Sequence, residues 1–253
     1  MEPFTPQVDE IADDIFRIST WIPEVSEEGF TFNQFLIRAD EPLLFHTGMR
    51  TMFPLVAEAV ATIMPAESIR WISFGHVESD ECGSMNMWLA TAPASEVVFG
   101  ALGCDVSLND MCDRPPRVLE GEVLDLGGKR VRQISTPHVP HGWEAQVLFE
   151  ETTGTLLCGD LFSQVGSPEA LTTDDLVDPA VAAEHMFHAT CLAPHTAVTM
   201  RSLGDLEPTT LAVMHGSSYR GDGKRALYEL ADAYEEITRA ALEPAAGVAS
   251  QAG

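Results

Sequence analysis

Four side chains able to bind a metal stand within six residues of one another in the run His76-Val77-Glu78-Ser79-Asp80-Glu81-Cys82-Gly83. Donors at i, i+2, i+4 and i+5, in a tight loop that ends at a glycine, can be turned into one space. An imidazole with several carboxylates is a donor set for a hard or borderline cation. Further groups of this kind stand where apolar runs end: His138 and His141 after Lys129 to Ser135, Asp160 in Gly159-Asp160 after Leu156 to Cys158, and His215 in His215-Gly216 after Leu211 to Met214. Taken singly, a histidine at a strand end is most often a cap or a surface residue, and an acidic loop is most often solvated. Together they point to a metal centre, because polar loops on one rim of a sheet are where sites are built. The charge pattern agrees. Trp71 to Asp113 holds seven acids and no base, and Gln133 to Met200 holds nine acids and no base, as suits a bound multivalent cation.

The elements that must position these donors follow from hydrophobic periodicity. Short β-rich runs open the chain at Ile15 to Ser19, Phe32 to Ile37 and Pro42 to Phe45, the last two joined by a polar turn as a hairpin. A helix is expected over Pro54 to Met64, where Leu55, Val56, Ala59, Val60 and Ile63 share a face. Trp71 to Phe74 reads as a buried strand running into Gly75-His76, and Ser84 to Ala92 as the helix after it. The middle of the chain alternates strands and turns at Glu96 to Phe99, Arg117 to Leu119, Glu122 to Leu126, Lys129 to Ser135, Gln146 to Glu150 and Leu156 to Cys158. Helices follow at Asp178 to Ala189, Pro194 to Leu203 and Gly223 to Leu242, interrupted by a strand at Leu211 to Met214. Strands followed by helices, twice over, predict an α/β chain folded as an αββα sandwich. The length of 253 residues fits a single domain over 1–242, with a small-residue tail over 243–253.

Composition removes several functions. With 39 acids against 14 Lys and Arg the net charge is −25, and Lys occurs only at Lys129 and Lys224, so neither nucleic acid nor an anionic membrane is an expected partner. Five cysteines without a CxxC pair indicate neither a disulfide framework nor a zinc ribbon. The acidic N-terminus lacks signal-peptide character and no apolar stretch reaches a membrane span, so the expected location is cytoplasmic.

The His76-x-Glu78-x-Asp80 run, with His141, Asp160 and His215 behind it, resembles the metallo-β-lactamase superfamily. Within it the chain is similar to the diiron domain of flavodiiron proteins and to single-domain oxygen-binding diiron proteins. The hydrolases of that superfamily carry HxHxDH, whereas Glu in the second His position, here Glu78, marks the diiron branch. The separations of 65 residues from His76 to His141, 19 to Asp160 and 55 to His215 match. The resemblance implies a metallo-β-lactamase-like fold. It implies two iron ions (Fe2+/Fe3+) with an oxo or hydroxo bridge, His76, Glu78 and His141 on one, Asp80 and His215 on the other, and Asp160 between them. Two positions depart from the family. Glu81 stands where His usually follows the motif Asp, and either binds the second iron or swings out to leave an open position. His46, in Leu44-Phe45-His46-Thr47-Gly48, replaces a common Asp, as a partner of a ligand or as a turn residue. His138 competes with His141 for one ligand position, and His141-Gly142-Trp143-Glu144 matches the family better.

Carboxylate in place of imidazole favours iron or manganese over zinc. The expected function is therefore a non-haem diiron protein that binds or reduces O2, or NO. No glycine-rich phosphate loop for FMN is visible in the chain, so it would act as a sensor or take electrons from a separate redox donor, with a signalling protein as another partner and a homodimer compatible with the sequence. The alternative is a dinuclear zinc or manganese hydrolase of a thioester, lactone or phosphoester. A metal-stabilised interaction module is a third reading. Met85, Trp143 and Phe30 are candidate pocket residues. Cys82 adjoins the metal loop and reads most simply as a small buried hydrophobe.

Overall fold

The computed structural model describes residues 4–242; the tail expected over 243–253 lies outside them. One seven-stranded sheet holds β1 (Gln7–Ala12), β2 (Ile15–Ile22), β3 (Phe30–Ile37), β4 (Leu43–Phe45), β5 (Trp71–Ser73), β6 (Glu96–Phe99) and β7 (Arg117–Val118) in chain order. The other is built from β8 (Val123–Asp125), β9 (Arg130–Ser135), β10 (Gln146–Glu150), β11 (Thr155–Leu157), β12 (Leu171–Thr172), β13 (Thr210–Ala212) and β14 (Ser218–Arg220), in the spatial order β12-β14-β13-β11-β10-β9-β8. The helices are α1 (Phe53–Ala61), α2 (Ser79–Cys82), α3 (Met85–Thr91), α4 (Ala101–Gly103), α5 (Asn109–Met111), α6 (Val177–Phe187), α7 (Thr196–Gly204) and α8 (Gly223–Leu242).

Strand alternation assigns each side chain to a layer. Phe35, Ile37, Leu43 and Phe45 of the first sheet meet Val131, Leu148, Leu157 and Ala212 of the second in the central core. Their neighbours Leu36, Leu44 and Ile72 turn outward onto Val56 and Val60 of α1 and Trp88 of α3. On the other side Val147, Leu156 and Leu211 pack against Ala180 of α6, Met200 of α7 and Leu227 and Leu230 of α8. Central strands buried on both faces explain why the sequence shows nearly continuous apolar runs there. The result is the αββα sandwich.

β4, β5 and β6 are parallel, and so are β11 and β13, while β9 and β11 flank β10 as antiparallel partners. The C-terminal ends of β5, β9, β11 and β13 thus share one rim, which is where the candidate donors emerge. Three strands add to those expected. β1 reads Gln-Val-Asp-Glu-Ile-Ala and is half exposed at an edge, so its acids mask the pattern; β12 and β14 have two and three residues, too few for periodicity. The short helices α2, α4 and α5 were likewise not expected. Among the described residues no helix is long and apolar enough to cross a membrane.

Candidate metal centre

Backbone bonds bring four distant loops to this rim. After β5 the chain reaches His76 through Gly75, whose carbonyl accepts the Gln146 N–H at 2.8 Å. The Gln146 side chain donates to the Ser73 hydroxyl at 3.2 Å and the Phe74 carbonyl at 3.0 Å, so the first residue of β10 fixes the end of β5. His76 lies in a bend whose carbonyl accepts the Glu78 N–H at 3.1 Å, Glu78 is extended and Asp80 stands in the first turn of α2, which is how the spacing i, i+2, i+4 converges. Glu144 accepts the Val77 N–H at 3.0 Å, tying the loop that carries His141 to the one that carries His76. The Asn33 amide donates to the Val213 carbonyl at 2.8 Å and the Gly216 carbonyl at 3.0 Å, clamping the turn around His215. Gly216 has φ +114°, and a Cβ there would lie 2.8 Å from Gln164, so the turn requires glycine.

The donor atoms form two groups with one carboxylate between them. His76 Nε2 lies 2.7 Å from Glu78 Oε2 and 3.8 Å from Asp160 Oδ2. His141 Nε2 lies 3.2 Å from the same Glu78 oxygen and 3.4 Å from Asp160 Oδ2. One donor atom from each of His76, Glu78, His141 and Asp160 falls within 4.8 Å of the others. On the far side, His215 Nε2 is 3.3 Å from Asp160 Oδ1 and 3.4 Å from Asp80 Oδ2. Asp160 Oδ1 is buried without a hydrogen-bond partner, as expected of an oxygen whose natural partner is a cation. These donors fit a pair of metal ions.

Glu81 is not brought to this centre. Its fully buried carboxylate turns behind His76, where Oε2 accepts the His76 N–H at 2.6 Å and Oε1 lies 3.2 Å from His76 Nδ1 and 3.3 Å from His46 Nε2. A Cβ on residue 75 would come within 3.0 Å of both Glu81 oxygens, so Gly75 makes room for this carboxylate. Thr47 donates to the Glu81 carbonyl from its N–H at 2.6 Å and its hydroxyl at 3.0 Å.

The electrostatics are those of carboxylates sharing protons with imidazoles. Burial lowers the His76 pKa, but Glu81, Glu78 and Asp160 outweigh it and push it up to about 12. Burial likewise opposes charge on His215, yet Asp160 and Asp80 push it up to about 10. His141 is raised, first by Glu78. Glu78 is held well below the usual carboxylate range by His141 and His76; Glu81, despite its burial, is held low by His76 and His46. All three imidazoles shift in the direction that favours the cationic form beside these carboxylates. The His215 Nδ1 lies 2.8 Å from the Thr31 carbonyl, which directs Nε2 toward the two aspartates.

The centre opens into a cavity of about 340 Å³ lined by Phe30, Phe32, Phe187, Ala183, Glu184 and Tyr234 together with all the donors but His76. Of the candidate pocket residues, Phe30 is there, its ring stacked 4.3 Å from that of His215. Met85 is buried in the core and Trp143 is exposed. His138 is exposed and outside the donor groups, with its ring 6.3 Å from that of His195. Burial pushes the Cys82 thiol up to about 12, which keeps it protonated and unreactive. Asn33, Gln146, Thr31 and Glu144 were not among the sequence candidates. A polar Asn33-Gln34 pair inside the apolar run Phe30 to Ile37 was the one available signal.

The family model described as "ODP family beta lactamase" matches residues 30–216. A putative diflavin flavoprotein A 1 from Nostoc is 27% identical over 228 residues, covering 84% of this chain and 39% of the relative. A putative diflavin flavoprotein A 2 from Synechocystis is 24% identical over 198 residues, covering 74% and 33%. The chain thus spans between a third and two fifths of the length of these relatives. Among solved structures, the rubredoxin oxygen:oxidoreductase of Desulfovibrio gigas superposes with a TM-score of 0.76 at 18% identity, covering 92% of this chain and 62% of that one. A variant of the flavo di-iron protein of Thermotoga maritima gives 0.79 at 19% identity, covering 92% and 62%. A 1–254 fragment of a Nostoc putative diflavin flavoprotein A 5 gives 0.74 at 19%, covering 93% and 96%. All three share the fold.

Proposed function

The chain belongs to the ODP family of β-lactamase-like proteins, and we propose that it holds a dinuclear non-haem iron centre that binds or reduces O2, with NO as the other diatomic ligand. The observation that carries this reading is Asp160, whose two oxygens face different imidazole groups, His76 and His141 on one side and His215 on the other. His76, Glu78, His141 and Asp160 would hold one ion and Asp80, Asp160 and His215 the other. Two iron ions so placed would supply one electron each to a shared diatomic ligand. The abundance of carboxylate favours iron over zinc, and the structural relatives named for an oxygen oxidoreductase and a di-iron protein lie in the same direction.

The protein's own residues set the surroundings. Phe30, Phe32 and Phe187 give the cavity an apolar wall that suits a small uncharged gas. Glu78, whose side chain is 54% exposed while that of His76 is buried, is the donor at the solvent edge of the first position. Electrons would come from a donor, and the flavoprotein relatives suggest a flavin-bearing one. Donor-coupled turnover would make the protein a reductase, and stable binding without turnover a sensor.

Anaerobic loading of metal-free protein with Fe2+ is expected to give two ions per chain, and O2 is then expected to produce a new near-ultraviolet or visible absorption band. Protein that takes up zinc but no iron, with no such band, overturns the reading. A hydrolase is the second reading, favoured by the cavity volume, which lies in the range of small-molecule sites, ~300–1,000 Å³. Zinc content with turnover of generic esters would support it.

A further inference from the structure

The two donor groups differ in number, and Glu81 is the reason. Resting on the dinuclear reading above, we propose that Glu81 is a positioning residue, paired with His46 to hold His76. The ion held by Asp80, Asp160 and His215 then has one protein donor fewer than its neighbour and leaves first.

The Glu81 carboxylate is fully buried, with Oε2 hydrogen-bonded and Oε1 held only by its closeness to two imidazoles. Oε2 takes the His76 backbone N–H at 2.6 Å, and Oε1 stands 3.2 Å from His76 Nδ1 and 3.3 Å from His46 Nε2. A carboxylate on the Nδ1 side of an imidazole fixes the ring and leaves Nε2 for the metal; His76 Nε2 is the atom that faces Glu78 and Asp160. His46 is itself fully buried, with Nδ1 3.2 Å from the Asn33 carbonyl, so it is a fixed counterpart to Glu81. Rotating Glu81 toward the second ion would strip the His76 N–H of its acceptor and leave His46 facing no anion, both buried. The space over Gly75 is shaped for the carboxylate where it stands. The first position therefore has four donors, His76, Glu78, His141 and Asp160, with His76 supported from behind. The second has three.

The test is stepwise metal release. Protein loaded anaerobically with Fe2+ is dialysed against rising dipicolinate, and iron per chain is measured by mass spectrometry. Two steps are expected, separated at least tenfold in chelator concentration, and Asp80→Ala or His215→Ala should abolish the weaker one while the tighter survives. Glu81→Gln keeps the shape and removes the charge. It should weaken the tighter step by about 10–100-fold, the usual effect of losing a partner behind a ligand, and leave the weaker step where it was. His46→Gln acts through Glu81 and should move the same step in the same direction, which keeps the test available if the Glu81 variant does not fold. Simultaneous release of two ions, or a Glu81→Gln effect on the weaker step, overturns the proposal. Uptake of no more than one ion overturns the dinuclear reading itself, a separate outcome.

Discussion

Asp160 faces three imidazoles from one side chain, and its value depends on having two equivalent charged oxygens. Asp160→Asn keeps the shape but replaces one oxygen with an amide donor, so iron per chain is expected to fall from two to one or fewer by metal analysis, with the fold retained. Asn33 works at a distance: its amide supplies hydrogen bonds to the Val213 and Gly216 carbonyls. Asn33→Ala leaves the buried Val213 carbonyl without this donor, while Arg17 still donates to the Gly216 carbonyl at 2.9 Å, and should cost about 1–3 kcal/mol in urea denaturation, while also weakening retention of the ion at His215. These two residues show what was legible in the sequence. Asp160 was, because a ligand's donor type and its place after an apolar strand are local facts. Asn33 was not, because its partners lie 180 residues away or more and are backbone carbonyls that any residue could provide. Glu81 lies between these cases: its chemistry was evident and its direction was not, since Gly75 and His46 set that direction through space.

At the scale of elements, the sandwich was legible wherever a strand was long enough to alternate. β3 shows both faces, with Phe35 and Ile37 inward and Leu36 outward, and the helices that cover the sheets carry apolar stripes of their own. β1, β12 and β14 escaped because edge position or brevity removes the pattern, and the turn of α2 escaped because its residues read as ligands. Helix packing also bears on the centre. Trp88 of α3 is fully buried, and its indole N–H donates to the Thr47 carbonyl at 3.2 Å; Thr47 in turn holds the Glu81 backbone. Trp88→Ala is expected to cost about 3–5 kcal/mol by chemical denaturation, since it removes both the packing and the hydrogen bond. Val198→Asp on α7, at a side chain 63% exposed, should stay within about 0.5 kcal/mol.

For the whole molecule, the net charge of −25 means that few bases are available to balance the acids of the centre, so protons or metal ions must. This gives a pH dependence whose sign differs between the two forms. In metal-free protein, His76 and His215 have pKa values raised to about 12 and about 10 from an ordinary value near 6.5. A group raised in the folded state contributes stability fully below its unfolded pKa and loses it as pH climbs toward the folded one. Glu78, held low, contributes above its ordinary value near 4.5 and loses that contribution as pH falls. Metal-free protein should therefore be most stable between about pH 4.5 and 6.5, with Tm declining as pH rises from about 6.5 toward 10. Metal ions replace the same protons, so loading should release protons measurably in weak buffer, and affinity should rise with pH over the interval in which the metal-free fold weakens. Melting curves with and without iron from pH 6 to 10 test both arms: the gap in Tm should widen steadily with pH. A gap that stays constant would mean that the imidazoles are already neutral before the metal arrives, and that the charge balance of this centre is struck elsewhere.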